Sequence, residues 1–127
     1  MTAFRAVVLE HFRRPRNRGP LAGANAEAEG ANPLCGDRIR VQILADGGAI
    51  VDARFTADAC AICIAAASIL TEGARGLRAG DARSLDLAWL NASLEGEAPP
   101  GRRRCVALPL DTFHRAVDAI LVREAGG

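Results

Sequence analysis

Four cysteines fall in three separated stretches of this chain, and whether those stretches meet decides what it can fold around. One stretch is Asn32-Pro33-Leu34-Cys35-Gly36-Asp37, the second is Cys60-Ala61-Ile62-Cys63, and the third is Arg102-Arg103-Arg104-Cys105. Convergence of all three on one thiolate cluster accounts for the layout. Thiolates are the preferred ligands of iron in iron–sulfur clusters and bind zinc strongly, so the chain reads as one built around a metal or a cluster.

The N-terminus lacks the charged, apolar and small-residue succession of a secretory signal, and no apolar run nears the roughly 18 residues of a membrane span. The expectation is a cytoplasmic protein. In that reducing compartment cysteines serve as metal ligands, persulfide carriers or redox thiols more often than as structural disulfides. The competing reading for any one of them is a small buried hydrophobe. With 127 residues, half of them apolar, the chain reads as a single domain spanning 1–127. Sixteen basic against fifteen acidic residues leave a charge of +1, and the basic runs are confined to Arg13–Arg18 and Arg102–Arg104, which disfavours a nucleic-acid partner.

Phe4, Val7, Val8 and Phe12 recur at helical spacing before Pro15, predicting a helix over residues 3–13. The alternation from Ala24 to Glu29 predicts an edge strand between loops. Ile39, Val41 and Ile43 alternate with polar residues, Asp46-Gly47-Gly48 supplies turn chemistry, and Val51, Ala53 and Phe55 alternate again. This is a β-hairpin that brings Cys35 and Asp37 to the same end as Asp58 and Cys60. Asp58 is the expected N-cap of a helix running to about Gly73 or Gly76, with Cys60 in its first turn, where backbone amides favour the thiolate. A helix from Asp81 to Leu94 follows, with Leu85 and Trp89 as core, and Pro109 suits the first position of a last helix carrying Phe113, Val117, Ile120 and Leu121. Cys105 then lies between an exposed loop and that helix. The order predicts an α+β fold, a small antiparallel sheet of about three strands with helices packed on one face.

Several pieces, in order, resemble the U-type iron–sulfur cluster assembly scaffold family, which comprises IscU, SufU and the N-terminal domain of NifU. They are Glu10-His11-Phe12, Pro15-Arg16-Asn17-Arg18-Gly19, Asn32-Pro33-Leu34-Cys35-Gly36-Asp37, Val51-Asp52-Ala53-Arg54-Phe55, Ala59-Cys60, Ala65-Ala66-Ala67-Ser68 and Cys105. The resemblance implies an assembly site formed by Cys35, Asp37, Cys60 and Cys105. It also implies sulfur from a cysteine desulfurase, iron, a transient [2Fe-2S] cluster, and apo iron–sulfur proteins as recipients. A carboxylate is a harder and weaker ligand than thiolate for cluster iron, which suits a cluster that must be given away. Cys105, read as an exposed loop thiol, is the expected persulfide acceptor.

Three positions depart from the family pattern. The IscU branch has a histidine where Arg104 stands, and an arginine cannot ligate a metal. Arg104 either balances thiolate charge or is a solvated loop residue. The SufU branch is also basic there, and its site resembles zinc held by three cysteines and one aspartate, so zinc in the same site and a sulfurtransferase activity form the alternative to a non-enzymatic scaffold. Ala98-Pro99-Pro100-Gly101-Arg102 lacks the apolar anchors of the IscU chaperone motif, so a chaperone partner is not expected. Cys63 is additional: a fourth thiolate, the second cysteine of a C-x-x-C redox pair in a thiol module, or a buried small residue. His11 and His114 are read as surface or capping residues on helices.

Overall fold

The computed structural model describes residues 2–126. Helix α1 (Thr2–Arg13) precedes strands β1 (Ala26–Asn32), β2 (Asp37–Asp46) and β3 (Ala49–Asp58). Helices α2 (Ala61–Ala74), α3 (Ala79–Arg83), α4 (Leu87–Leu94) and α5 (Arg103–Gly126) follow, with a short 3-10 turn at Pro100–Arg102 leading into α5. The strands form one antiparallel sheet in the order β1-β2-β3.

Period-two patterning decides which face of the sheet is covered. Ile39, Val41 and Ile43 of β2 are buried, and Phe55 and Ala53 of β3, paired with Val41 and Ile43, are buried beside them. Arg38, Arg40 and Gln42 point the other way, where Arg40 pairs with Glu29 of the neighbouring strand. α5 packs on β1 and β2, α2 packs on β3 and α5, and α1 lies on α2, so the helices gather over the apolar face. Phe55, Phe113, Leu70, Leu90 and Leu94 are fully buried in an apolar cluster that draws on α1, the sheet and all later helices. Each such side chain contributes about 1.5–3 kcal/mol through burial.

The predicted fold class stands, with four local corrections. β3 continues to Asp58, which pairs with Arg38, so Asp58 is strand rather than cap; Cys60 itself is the N-cap of α2, with extended backbone at φ −70° and ψ 166°. The predicted helix over 81–94 is two helices, because the Asp86 side chain accepts a hydrogen bond from the Trp89 backbone N–H at 2.9 Å and starts α4 afresh. Pro109 does not begin the last helix. α5 starts at Arg103 and carries the proline inside it, which removes the N–H that would bond to the Cys105 carbonyl. The edge strand lies two residues later than its alternation suggested, at Ala26–Asn32.

The segment after α1 is pinned rather than free. Arg16 N–H donates to Ser68 Oγ at 2.8 Å, and His11 Nδ1 lies 2.8 Å from the same oxygen. Arg16 also pairs with Glu10 at 3.1 Å, while Phe55 N–H donates to the Asn17 carbonyl at 3.0 Å and Gly19 N–H to the Phe55 carbonyl at 2.8 Å. The Glu10-His11 and Pro15-Arg16-Asn17 pieces thus form a clasp between α1, α2 and β3, and His11 is a partner in it rather than a lone surface histidine.

Candidate metal centre

Asp37 opens β2, Cys60 caps α2, and Cys105 is the third residue of α5. A ligand atom from each lies within 4.8 Å of the other two, and Cys105 Sγ is 3.9 Å from Asp37 Oδ2. Local sequence chemistry explains the meeting. Asn32 and Asp37 pair at the ends of β1 and β2, and the tight connection closes with Gly36 N–H donating to the Asn32 carbonyl at 2.8 Å. Gly36 takes a positive φ of 76°, a region open to glycine without strain. The pairing of Arg38 with Asp58 then sets the end of β3 beside the start of β2, and two residues later the chain enters α2 at Cys60. The start of α5 brings Cys105 in from the third stretch.

The electrostatics are those of a crowded anionic site. Burial pushes the Cys105 thiol up to about 11, the neighbouring Cys60 and Asp37 add to the rise, and Arg102 opposes it. Arg102 stands close enough to Cys105 and Cys60 for the two sulfurs to raise its own already high pKa. Two thiols and a carboxylate beside a single guanidinium make a donor set short of positive charge. A thiophilic cation fits it, replacing the thiol protons and relieving the repulsion.

The basic group at the site is Arg102, not Arg104. Arg102 stands three residues before Cys105, so the two share a face where the chain winds into α5, whereas the residue immediately before Cys105 projects to another side. Arg104 is exposed and makes no ion pair among the described residues. Sequence reasoning missed Arg102 because it weighed adjacency to the cysteine over helical spacing.

The cysteines divide by exposure. Cys105 is 2% exposed in the first turn of α5, which corrects its expected place on an exposed loop. Cys35 is exposed at the tip of the β1–β2 connection and lies outside the three-residue group. Cys63, one turn along α2, is wholly buried among the apolar residues of the core and also lies outside the group; burial, then Cys60, pushes its thiol far above the ordinary range. A hollow of about 640 Å³ lies elsewhere, over the outer face of the sheet between Arg38, Arg40, Thr56 and Asp58. It is framed by charged strand residues and contains none of the thiols. His114 is held away from the site, with Nε2 2.7 Å from the Leu85 carbonyl.

The NifU-like N-terminal domain family matches this chain over residues 3–125. The chain belongs to that family. Relatives of this NifU-like domain include the bifunctional protein NifU/MnmA of Rubrobacter xylanophilus, 36% identical over 118 residues that make 92% of this chain and 24% of the relative. The zinc-dependent sulfurtransferase SufU of Bacillus subtilis is 39% identical over 75 residues, 59% of this chain and 50% of that protein. The scaffold protein IscU of Aquifex aeolicus is 34% identical over 119 residues, 92% of this chain and 75% of that one. The chain thus spans a quarter and a half of the lengths of the first two relatives. Among solved structures, FiSufU of Fervidobacterium islandicum superposes with a TM-score of 0.77 at 23% identity, covering 91% of this chain and 97% of its own. The N-terminal part of a NifU-like protein from Brucella abortus gives 0.74 at 22% identity, covering 92% and 93%. These two likenesses establish the shared fold. No helix among the described residues is long and apolar enough to cross a membrane.

Proposed function

We propose that this NifU-like domain is a scaffold on which a [2Fe-2S] cluster is assembled from iron and desulfurase-derived sulfur, held by Cys35, Asp37, Cys60 and Cys105, and passed to apo-proteins. The observation that carries this reading is the approach of Asp37, Cys60 and Cys105 within 4.8 Å from three separate elements. The names of the IscU, SufU and NifU relatives support it. Three thiolates and one carboxylate hold iron while leaving the site less than fully soft, and that favours release over retention.

The burial of Cys105 changes the proposed path of sulfur. A persulfide must be received on a thiol that a partner enzyme can reach, and among the four cysteines only Cys35 is exposed. Cys35 therefore takes the sulfur first and delivers it inward as the Pro33–Gly36 turn swings toward Cys60 and Cys105, where it also completes the ligand set. The direct test is anaerobic cluster assembly followed by visible absorption. Cys35→Ser, Cys60→Ser and Cys105→Ser are each expected to lose the transferable cluster, and parental assembly by all three variants refutes the proposal.

A second reading is a zinc-dependent sulfurtransferase, favoured by a donor set of cysteines and one aspartate with arginine beside it and by the name of the Bacillus subtilis relative. Stoichiometric zinc required for desulfurase stimulation, with no cluster formed, selects this reading.

A further inference from the structure

Cys60 and Cys105 are the only two cysteines whose sulfurs lie together in the ligand group among the described residues. Sulfur leaves a cysteine desulfurase as sulfane sulfur, which is two electrons more oxidised than the sulfide a cluster contains. Something must supply those electrons. We propose that Cys60 and Cys105 act as a dithiol that reduces sulfane sulfur bound to one of them, releasing hydrosulfide and leaving a Cys60–Cys105 disulfide.

With the sulfane sulfur carried as a persulfide on Cys105, the Cys60 thiolate attacks Cys105 Sγ. The Cys60–Cys105 sulfur–sulfur bond forms, the bond from Cys105 Sγ to the outer sulfur breaks, and HS⁻ departs with the persulfide proton and the bonding pair. The outer sulfur gains two electrons and each cysteine sulfur loses one. An external thiol reductant then reopens the disulfide by exchange and is itself oxidised.

Three features of the site suit this step. The two sulfurs are within 4.8 Å, and side-chain rotation closes that gap to the bonding distance of roughly 2 Å. Cys60 sits at the N-cap of α2 with extended backbone, and its side chain is not tied up in a capping hydrogen bond. Arg102 lies beside both sulfurs and is itself exposed, so its guanidinium is placed to receive the departing anion. Cys63 is sealed in the core, and Cys35, exposed at the tip, acts as the entry thiol that hands its sulfur on to Cys105.

The inference rests on the scaffold reading for its biological setting, but its test uses neither desulfurase nor iron. Metal-free full-length protein is treated with sodium tetrasulfide, desalted rapidly, and followed for released sulfide and, by peptide mass mapping, for the one-sulfur adduct and the disulfide. Parent and Cys63→Ala are expected to release roughly one sulfide per chain as the adduct decays and a Cys60–Cys105 cross-link appears at the same rate. Cys60→Ser and Cys105→Ser, with folding checked by circular dichroism, are expected to keep the adduct and release sulfide about tenfold more slowly or worse. Zinc saturation, which ties up both thiolates, is expected to suppress release in the parent. Parental release rates in both serine variants, or release accompanied by a cross-link through Cys35 or Cys63, overturns the proposal. A protein that passes this test but builds no cluster refutes the scaffold reading and leaves the dithiol chemistry standing.

Discussion

One arginine and four cysteines in different surroundings set the chemistry of this domain. Arg102 lowers the Cys105 thiol against the upward push of burial and of Cys60. Arg102→Ala is therefore expected to move Cys105 ionisation above about 11, seen as a later rise in thiolate absorbance at 240 nm, while Arg104→Ala leaves it unchanged. Cys63 makes a separate prediction. Its thiol is raised in the folded protein, so the fold keeps a proton that the unfolded chain loses. The associated stability is intact below the ordinary thiol value of 9.0 and is lost as pH rises above it. Chemical denaturation of the metal-free protein is expected to show stability falling by as much as ~1.4 kcal/mol per pH unit above that point from this group alone. Cys105 adds a decline of the same sign, and Cys63→Ala removes only the Cys63 part of the slope. The residue types that gather at the candidate site were legible in the sequence because cysteine and aspartate announce their chemistry. The exposure of each was not, since burial is decided by elements far away along the chain.

At the scale of elements, the close approach of α5 to β1 places Cys105. Gly30 permits it: a side chain there runs into Thr112 Oγ1 and lies 2.9 Å from Leu108 Cδ1. Gly30→Ala is expected to push α5 off the sheet and to cost about 1–3 kcal/mol in urea unfolding, with metal affinity falling at the same time because Cys105 moves with its helix. Periodicity made α1, the β2–β3 hairpin and the body of α2 readable. Their ends were less so, because the competing signals are tertiary. Asp58 carries the chemistry of a cap, yet the ladder with Arg38 holds it in strand. Pro109 carries the chemistry of a helix start, yet the apolar cluster that buries Cys105, Val106 and Pro109 on one side extends α5 back past it. Asp86 could have been recognised as an internal cap, since it precedes Leu87 and reaches the N–H three residues on.

Across the whole molecule, a one-sided antiparallel sheet carries two of the three cysteine-bearing stretches at one end, and the helical layer delivers the third. That end-on convergence was partly legible: the alternation of Ile39–Ile43 and Val51–Phe55 predicted that Asp37 and Cys60 would be neighbours. The arrival of Cys105 depended on how α5 lies across β1 and β2, which local pattern does not encode. A metal held at such a junction would tie β2, α2 and α5 together and so add to the stability of the whole fold. Zinc held at 100 times its dissociation constant is expected to raise unfolding free energy by about 2.7 kcal/mol, and chelation to reverse that gain. The central claim meets its most direct test in iron and acid-labile sulfide per chain, measured after metal-stripped protein is incubated anaerobically with ferrous iron, cysteine and a cysteine desulfurase. About two of each per chain or per dimer, lost when apo-ferredoxin is added, is the predicted result. Iron and sulfide absent from the recovered protein, with zinc needed for sulfur uptake, contradicts it.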